Sequence, residues 1–285
     1  MTVAVIADSA ASLPPALAAR WGIRVVPLQV IVDDEARPEG VRIDSDQVLA
    51  HLVSGAHVTT SQPTPEAYDA AIGEVALAGA EAAVIVSISG TLSGSVDVAR
   101  AAADRASIPV EVVDTRTVAM ACGFASLAAA DAARRGLPVA EVAEAARATA
   151  ARSRCFFTVD TLDYLRAGGR IGPAVAAAGK VLGIRPVLEM KDGEVELVGR
   201  VRSTARARAA LLAMVDDALA QCEHPGVAVM VLGEPTVGDD AARALESRYP
   251  ALGPVIRTPV SAVLAVHAGP GALAAVVADL PEGVH

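Results

Sequence analysis

The segment Val84–Arg100, VIVSISGTLSGSVDVAR, constrains this chain more than any other. Its apolar β-branched run needs burial as a strand, the hydroxyl and glycine residues after it form a loop, and SVDVAR opens a helical pattern. A strand that delivers its carboxyl end into the positive end of a helix makes an anion site. The loop offers Ser87, Ser89, Thr91, Ser93 and Ser95 as hydroxyl donors, while Gly90 and Gly94 let backbone amides approach a ligand closely. No lysine or arginine stands among them. A triphosphate cradle wants a lysine in the loop, so the pattern favours a smaller, singly charged oxyanion such as a carboxylate. The alternative is an ordinary capped helix start with Ser93 as N-cap and no ligand.

The remaining segments extend the same alternation. Val3–Ala7 reads as a strand ending at Asp8 and Ser9, which either line a site at the sheet's carboxyl edge or cap the next turn. A helix follows to Trp21. Ile23–Val32 is an apolar run broken by Pro27, an edge strand or a bend; Asp33–Gly40 reads as a charged loop, and Asp44 begins a helix through Val53. Thr59–Pro65 packs hydroxyls and prolines before a helix over Pro65–Leu77, leaving Thr60 and Ser61 as stiffly held donors. A strand over Val110–Val113 and helices over Val118–Arg135 and Pro138–Ala151 complete a parallel α/β pattern.

A second pattern begins after Ala151, dividing the chain into domains at 1–151 and 152–285. Cys155–Val159 is a strand, Leu162–Arg166 a short helix, and the Gly168-Gly169 pair delivers Arg170 at a sharp turn. There Arg170 can approach a ligand closely or pair with a carboxylate of its own protein, and the residues read alone favour the second. Pro173–Leu182 reads as a helix, and Arg185–Met190 and Val195–Val201 flank the hairpin signal Lys191-Asp192-Gly193. Helices are expected over Thr204–Leu219 and Gly238–Ser247, with strands over Val227–Leu232 and Val255–Ile256. The last apolar run, Val263–Ala268, reads as a strand end carrying His267, followed by a Gly-Pro-Gly turn and a helix. Arg200, Arg202, Arg206 and Arg208 form the most basic patch, either a solvated helix start or a dock for an acidic or phosphorylated partner.

Composition removes several function classes. A net charge of -9 over 285 residues argues against a nucleic-acid footprint or an acidic membrane surface. The longest apolar stretch, Val118–Ala130, is too short to span a bilayer, so no stable membrane insertion is expected. Cys122, Cys155 and Cys222 are isolated, which fits reduced thiols in the cytoplasm and neither a disulfide framework nor a metal site. Aromatic residues are 2% of the chain, so a ligand must be held by aliphatic walls and a few polar groups. Two enzyme classes lack their motifs. Gly90-Thr91-Leu92-Ser93-Gly94 departs from a hydrolase elbow by one residue, and the first strand runs into Asp8-Ser9-Ala10 without a nucleotide-binding glycine motif.

Five separated segments together resemble one family: VIADSAASLP, TTSQPTPEAY, SISGTLSGS, LDYLRAGGRIGPAVAAAGKVLGIRPVLEMKDGEVELVGRVR and HAGPGAL. The chain is similar to the DegV family of bacterial fatty-acid-binding proteins from its first strand to its last expected helix. The resemblance implies two α/β domains, the N-terminal one a mostly parallel sheet flanked by helices and the C-terminal one a mixed sheet with helices, and a ligand tunnel between them. It implies a non-catalytic lipid-binding protein without a cofactor, which presents a long-chain fatty acid to the ATP-dependent catalytic subunit of a fatty acid kinase. A carrier or sensor with no kinase is the alternative. By position, Thr60 and Ser93 would bond the carboxylate, with Ser61, Gly94, Arg170 and His267 around it, and Arg200 and Arg202 would contact the kinase or the acyl phosphate. Where relatives carry two consecutive serines, this chain has Ser89-Gly90, so one hydroxyl is missing.

Overall fold

The computed structural model describes residues 1–172 and 183–284, so the helix expected over Pro173–Leu182 lies outside the described residues. The chain opens with β1 (Val3–Asp8), α1 (Pro15–Trp21) and β2 (Ile23–Val26). Pro27 then separates two strands where the sequence suggests one bent run: β3 (Gln29–Val32) leaves for another sheet. Asp33 and Asp34 take φ values of 47° and 68°, the paired left-handed turn that suits a tight hairpin. They return the chain as β4 (Glu35–Pro38), so the charged segment 33–40 is a hairpin arm and not a loop. α2 (Ser45–Val53) starts at a capping box between Asp44 and Gln47. β5 (Val58–Ser61) completes a three-stranded antiparallel sheet in the order β4-β3-β5.

Next come α3 (Pro65–Leu77), β6 (Ala82–Ser87), α4 (Ser95–Ala103), β7 (Val110–Asp114), α5 (Met120–Arg134) and α6 (Val139–Ala151). The parallel sheet runs β2-β1-β6-β7. β6 is buried at every position, as a central parallel strand covered on both faces must be.

The later part supplies β8 (Arg154–Thr158), α7 (Asp163–Ala167), β9 (Arg185–Lys191), β10 (Glu194–Val201) and α8 (Thr204–Leu219). It closes with β11 (Pro225–Val231), α9 (Pro235–Arg248), β12 (Ile256–Pro259), α10 (Ala262–Ala268) and β13 (Leu273–Asp279). These strands form one mixed sheet, β10-β9-β8-β13-β11-β12, parallel between β11 and β12 and antiparallel between its other neighbours. The closing segment reverses the sequence expectation. Val263–Val266 lies in a helix, and the residues after Gly269-Pro270-Gly271 form a strand. A short alanine- and valine-rich run carries no period that separates the two states, and β13, central between β8 and β11, is apolar on both faces.

Layering follows from which faces are apolar. Ile6, Ala83 and Ile85 pack under α3 and α4. On the far side, Phe156, Val227, Val229 and Ala275 pack under α8 and α9. The inner faces of the two sheets share α5, which touches β1 and β6 on one side and β8 and β13 on the other. Burial covers 12 of its 15 residues, and its alanines let both sheets approach closely. The apolar run too short for a membrane is this central helix; among the described residues no helix is long and apolar enough to cross one.

Phe124, 1% exposed, is the largest side chain on this helix. We expect Phe124→Ala to cost about 3 to 5 kcal/mol in urea unfolding, since the sheets on either side cannot both close on the vacancy. A loss below about 1 kcal/mol would contradict the shared-core arrangement.

Candidate functional site

The inner faces do not meet beyond α5, and an apolar cavity of about 930 Å³, counting its mouth, lies between them. Its floor is the mixed sheet. Phe157, Ala274 and Met230 stand in register across β8, β13 and β11, and Cys155, Met190 and Val195 across β8, β9 and β10. Ile88 and Leu92 from the loop after β6 and Val263 and Leu264 from α10 form the facing walls.

Polar groups gather in a ring at one end. Thr60 Oγ1 lies 2.7 Å from His267 Nε2. His267 rests on Gly168, where an added Cβ would fall 2.1 Å from Nδ1, so only glycine fits there. Arg170 donates from Nη1 to Gly168 O at 2.5 Å and from Nε to Leu92 O at 3.1 Å. Leu92 leads to Ser93, and Gly94 packs on Gln62, two residues beyond Thr60. Thr60, Ser61, Ser93, Arg170 and His267 thus share one rim. Gly94 sits just outside it, exposed, as the N-cap residue of α4.

The structure corrects three readings of these residues. Ser93 is not an N-cap: the helix starts at Ser95, and Ser93 Oγ pairs with Ser95 Oγ at 2.8 Å. Arg170 bonds two carbonyls and not a carboxylate of its own protein. His267 ends a helix and not a strand.

The hydroxyl-rich loop is divided among several tasks. Ser87 donates to buried Asp8 at 2.7 Å, and the Ile88 amide donates to the same carboxylate at 2.8 Å, tying the ends of β1 and β6. Burial pushes the Asp8 carboxyl up to about 6, against the hydrogen bonds that lower it. Ser89 donates to Gly193 O at 2.8 Å, Thr91 donates to the same oxygen, and Arg116 donates to Asp192 O at 2.6 Å. Of the expected donors, only Ser93 is left for the cavity. The Gly90 amide donates to Asp114 at 3.1 Å, and an added Cβ would press on that carboxylate at 2.9 Å. A side chain at Gly90 would therefore require the Asp114 carboxylate to shift.

His267 is neutral. Burial, and after it the Arg170 charge, push its imidazole down to about 4. Its Nδ1 is buried without a partner. An unpaired N–H there would cost more than a bare lone pair, so the network assigns the proton to Nε2, donated to Thr60 Oγ1. That frees the Thr60 hydroxyl to donate into the cavity. Among the described residues Ser93 has no imidazole beside it and His267 no orienting carboxylate, so they do not assemble the nucleophile-base-orienter chain of a hydrolase.

Arg200 and Arg202, at the end of the edge strand β10 and just beyond it, are both exposed and do not line the cavity. Sequence reasoning missed the floor residues. The alternation of Cys155 and Phe157 on β8 was the available signal.

The chain is similar to known proteins over nearly its whole length. A DegV domain-containing protein of Streptomyces coelicolor is 40% identical over 277 residues, covering 97% of this chain and 98% of its own length. One from Mycobacterium tuberculosis is 37% identical over 274 residues, 96% of each chain. A DegV family protein of Thermus thermophilus, described by its fatty acid binding, superposes with a TM-score of 0.86 at 33% identity, over 98% of this chain and 100% of that one. A stearic acid-binding protein of Eubacterium ventriosum gives 0.87 at 26% identity over 96% and 97%.

The neutral state of His267 is measurable. Ring ¹⁵N NMR should show an uncharged imidazole from pH 8 to about 5. Because the unfolded chain binds the proton near 6.5, His267 removes stability as pH falls from there toward 4, by about 1.4 kcal/mol per unit of pKa difference. His267→Gln should abolish that component in pH-dependent unfolding, whereas a wild-type midpoint near 6.5 would contradict the buried rim.

The model for the DegV family, described as uncharacterised proteins of that family, matches residues 2–279, and this chain belongs to the DegV family.

Proposed function

We propose that this protein binds one long-chain fatty acid, with its carboxylate on Thr60 and Ser93, the neutral His267 orienting the Thr60 hydroxyl, and its acyl chain in the cavity between the sheets. The observation that carries the reading is the arrangement itself: an apolar cavity with its polar groups confined to one ring. Uncharged hydroxyl donors with a single guanidinium nearby suit a carboxylate that must be released again. An acyl chain of about 14 to 16 carbons gains roughly 0.8 kcal/mol per buried CH₂, on the order of 10 kcal/mol, so the walls supply most of the affinity and the ring sets orientation. The likeness to the Thermus and Eubacterium proteins supports the same ligand class.

In this reading the protein works in the cytoplasm without a cofactor and presents the bound acid to an ATP-dependent fatty acid kinase. The exposed Arg200 and Arg202 are the proposed contacts, offering guanidinium forks to an acidic partner surface.

Mass spectrometry of an organic extract of the purified protein should yield one fatty acid per chain. Ser93→Ala and Thr60→Ala should each weaken palmitate retention by about 1 to 3 kcal/mol, the cost of a lost bond to a charged group. Retention unchanged in both variants contradicts the site. Replacing Arg200 and Arg202 by glutamate should leave palmitate retention intact and reduce acyl phosphate formation by the kinase at least tenfold; equal turnover contradicts the contact.

A further inference from the structure

The buried carboxylate of Glu39 is not part of the rim, yet it is tied to the element that completes it. Glu39 follows β4 and is 9% exposed. Its backbone is fixed, with the amide donating to Leu28 O at 2.9 Å and a bridge to Ile43. Among the described residues its carboxylate meets no cation. It accepts from Ser9 Oγ at 2.5 Å and from the Val263 amide at 3.4 Å, and the Ala262 amide also faces it. Those two amides are the first of α10. A helix start needs acceptors for its open amides. Ser261, in the capping position, makes no such bond, and its Oγ is buried without a partner.

α10 is therefore fastened at both ends to one small sheet. Glu39, just past β4, holds its first turn, and Thr60, in β5, bonds His267 in its last. A helix of 7 residues is a stiff rod about 10 Å long at 1.5 Å per residue, so a shift at one end reaches the other. Val263 and Leu264, between the two fastenings, line the cavity.

We propose that Glu39 is a positioning residue of the site: by holding the first turn of α10 it sets His267 against Thr60 and keeps the rim assembled. Its consequence for lipid rests on the fatty-acid reading above, while its effect on His267 does not. The charged groups that face these residues are Asp8 beside Glu39 and Arg170 beside His267. Burial raises the Glu39 carboxyl to about 7, a desolvation cost that an ordinary surface residue there would not carry.

The test compares Glu39→Ala, Glu39→Gln and Glu39→Asp in the full chain, first without lipid. In Glu39→Ala, ring ¹⁵N NMR should show the His267 titration rising by about one pH unit or more, and palmitate retention should fall at least tenfold. Glu39→Gln, whose amide oxygen still accepts from Val263, should keep both within about threefold of wild type. Should Glu39→Ala not fold, Glu39→Asp, shorter by one methylene, should show the same change in smaller measure. A folded Glu39→Ala or Glu39→Asp protein with an unchanged His267 titration overturns the proposal, whatever its melting temperature. If wild type holds no palmitate, the fatty-acid reading fails, and the His267 titration still decides the role of Glu39.

Discussion

A single hydrogen bond, Thr60 Oγ1 to His267 Nε2 at 2.7 Å, joins residues 207 positions apart and closes the polar end of the cavity. Everything else in the site is arranged so that this bond can form between neutral groups. Gly168 leaves space for the ring, Arg170 is held on two carbonyls beside it, and burial keeps the imidazole uncharged. A charged histidine paired with Arg170 would repel it. A neutral one extends a donor chain outward through Thr60, which is what a ligand carboxylate in a poorly hydrated site requires.

The cavity exists because the two sheets share a helix without closing on each other. α5 spaces them, and past its end the inner faces offer Met190, Met230, Phe157 and Val195 to open volume. Methionines adapt to the shape that fills them. The separation is held at a second point, where Ser89, Thr91 and Arg116 all donate to the turn carbonyls of the β9–β10 hairpin. The hairpin turn needs Gly193, at φ 92°, with no side chain between it and those hydroxyls. The loop that carries Ser93 is thus braced from both sheets before any ligand arrives.

The α/β class, the parallel first sheet, the Lys191-Asp192-Gly193 hairpin and the helix over Thr204–Leu219 were legible because local signals and global fold agree there. Other features were hidden for physical reasons. Five hydroxyls between Ser87 and Ser95 look alike in sequence; their roles are assigned by Asp8 and Gly193, far away in the chain. Glu39 sits in a segment that reads as a solvated charged loop, and only the fold reveals that it is buried against α10. The interchange of helix and strand between Val263 and Asp279 reflects a composition of small apolar residues with weak preference for either. Pro27 marked a break, but the departure to a separate sheet depends on pairing with β5, which brings Thr60 to the rim.

The central claim is that a carboxylate is held ionised by neutral donors at this rim while its chain is buried. NMR of the protein loaded with palmitate carrying ¹³C at the carboxyl carbon measures this directly. The account predicts one narrow bound resonance that stays at the ionised position from pH 8 to about 5 and shifts in the Ser93→Ala variant. A resonance that titrates like free fatty acid, or is unmoved by Ser93→Ala, would contradict it.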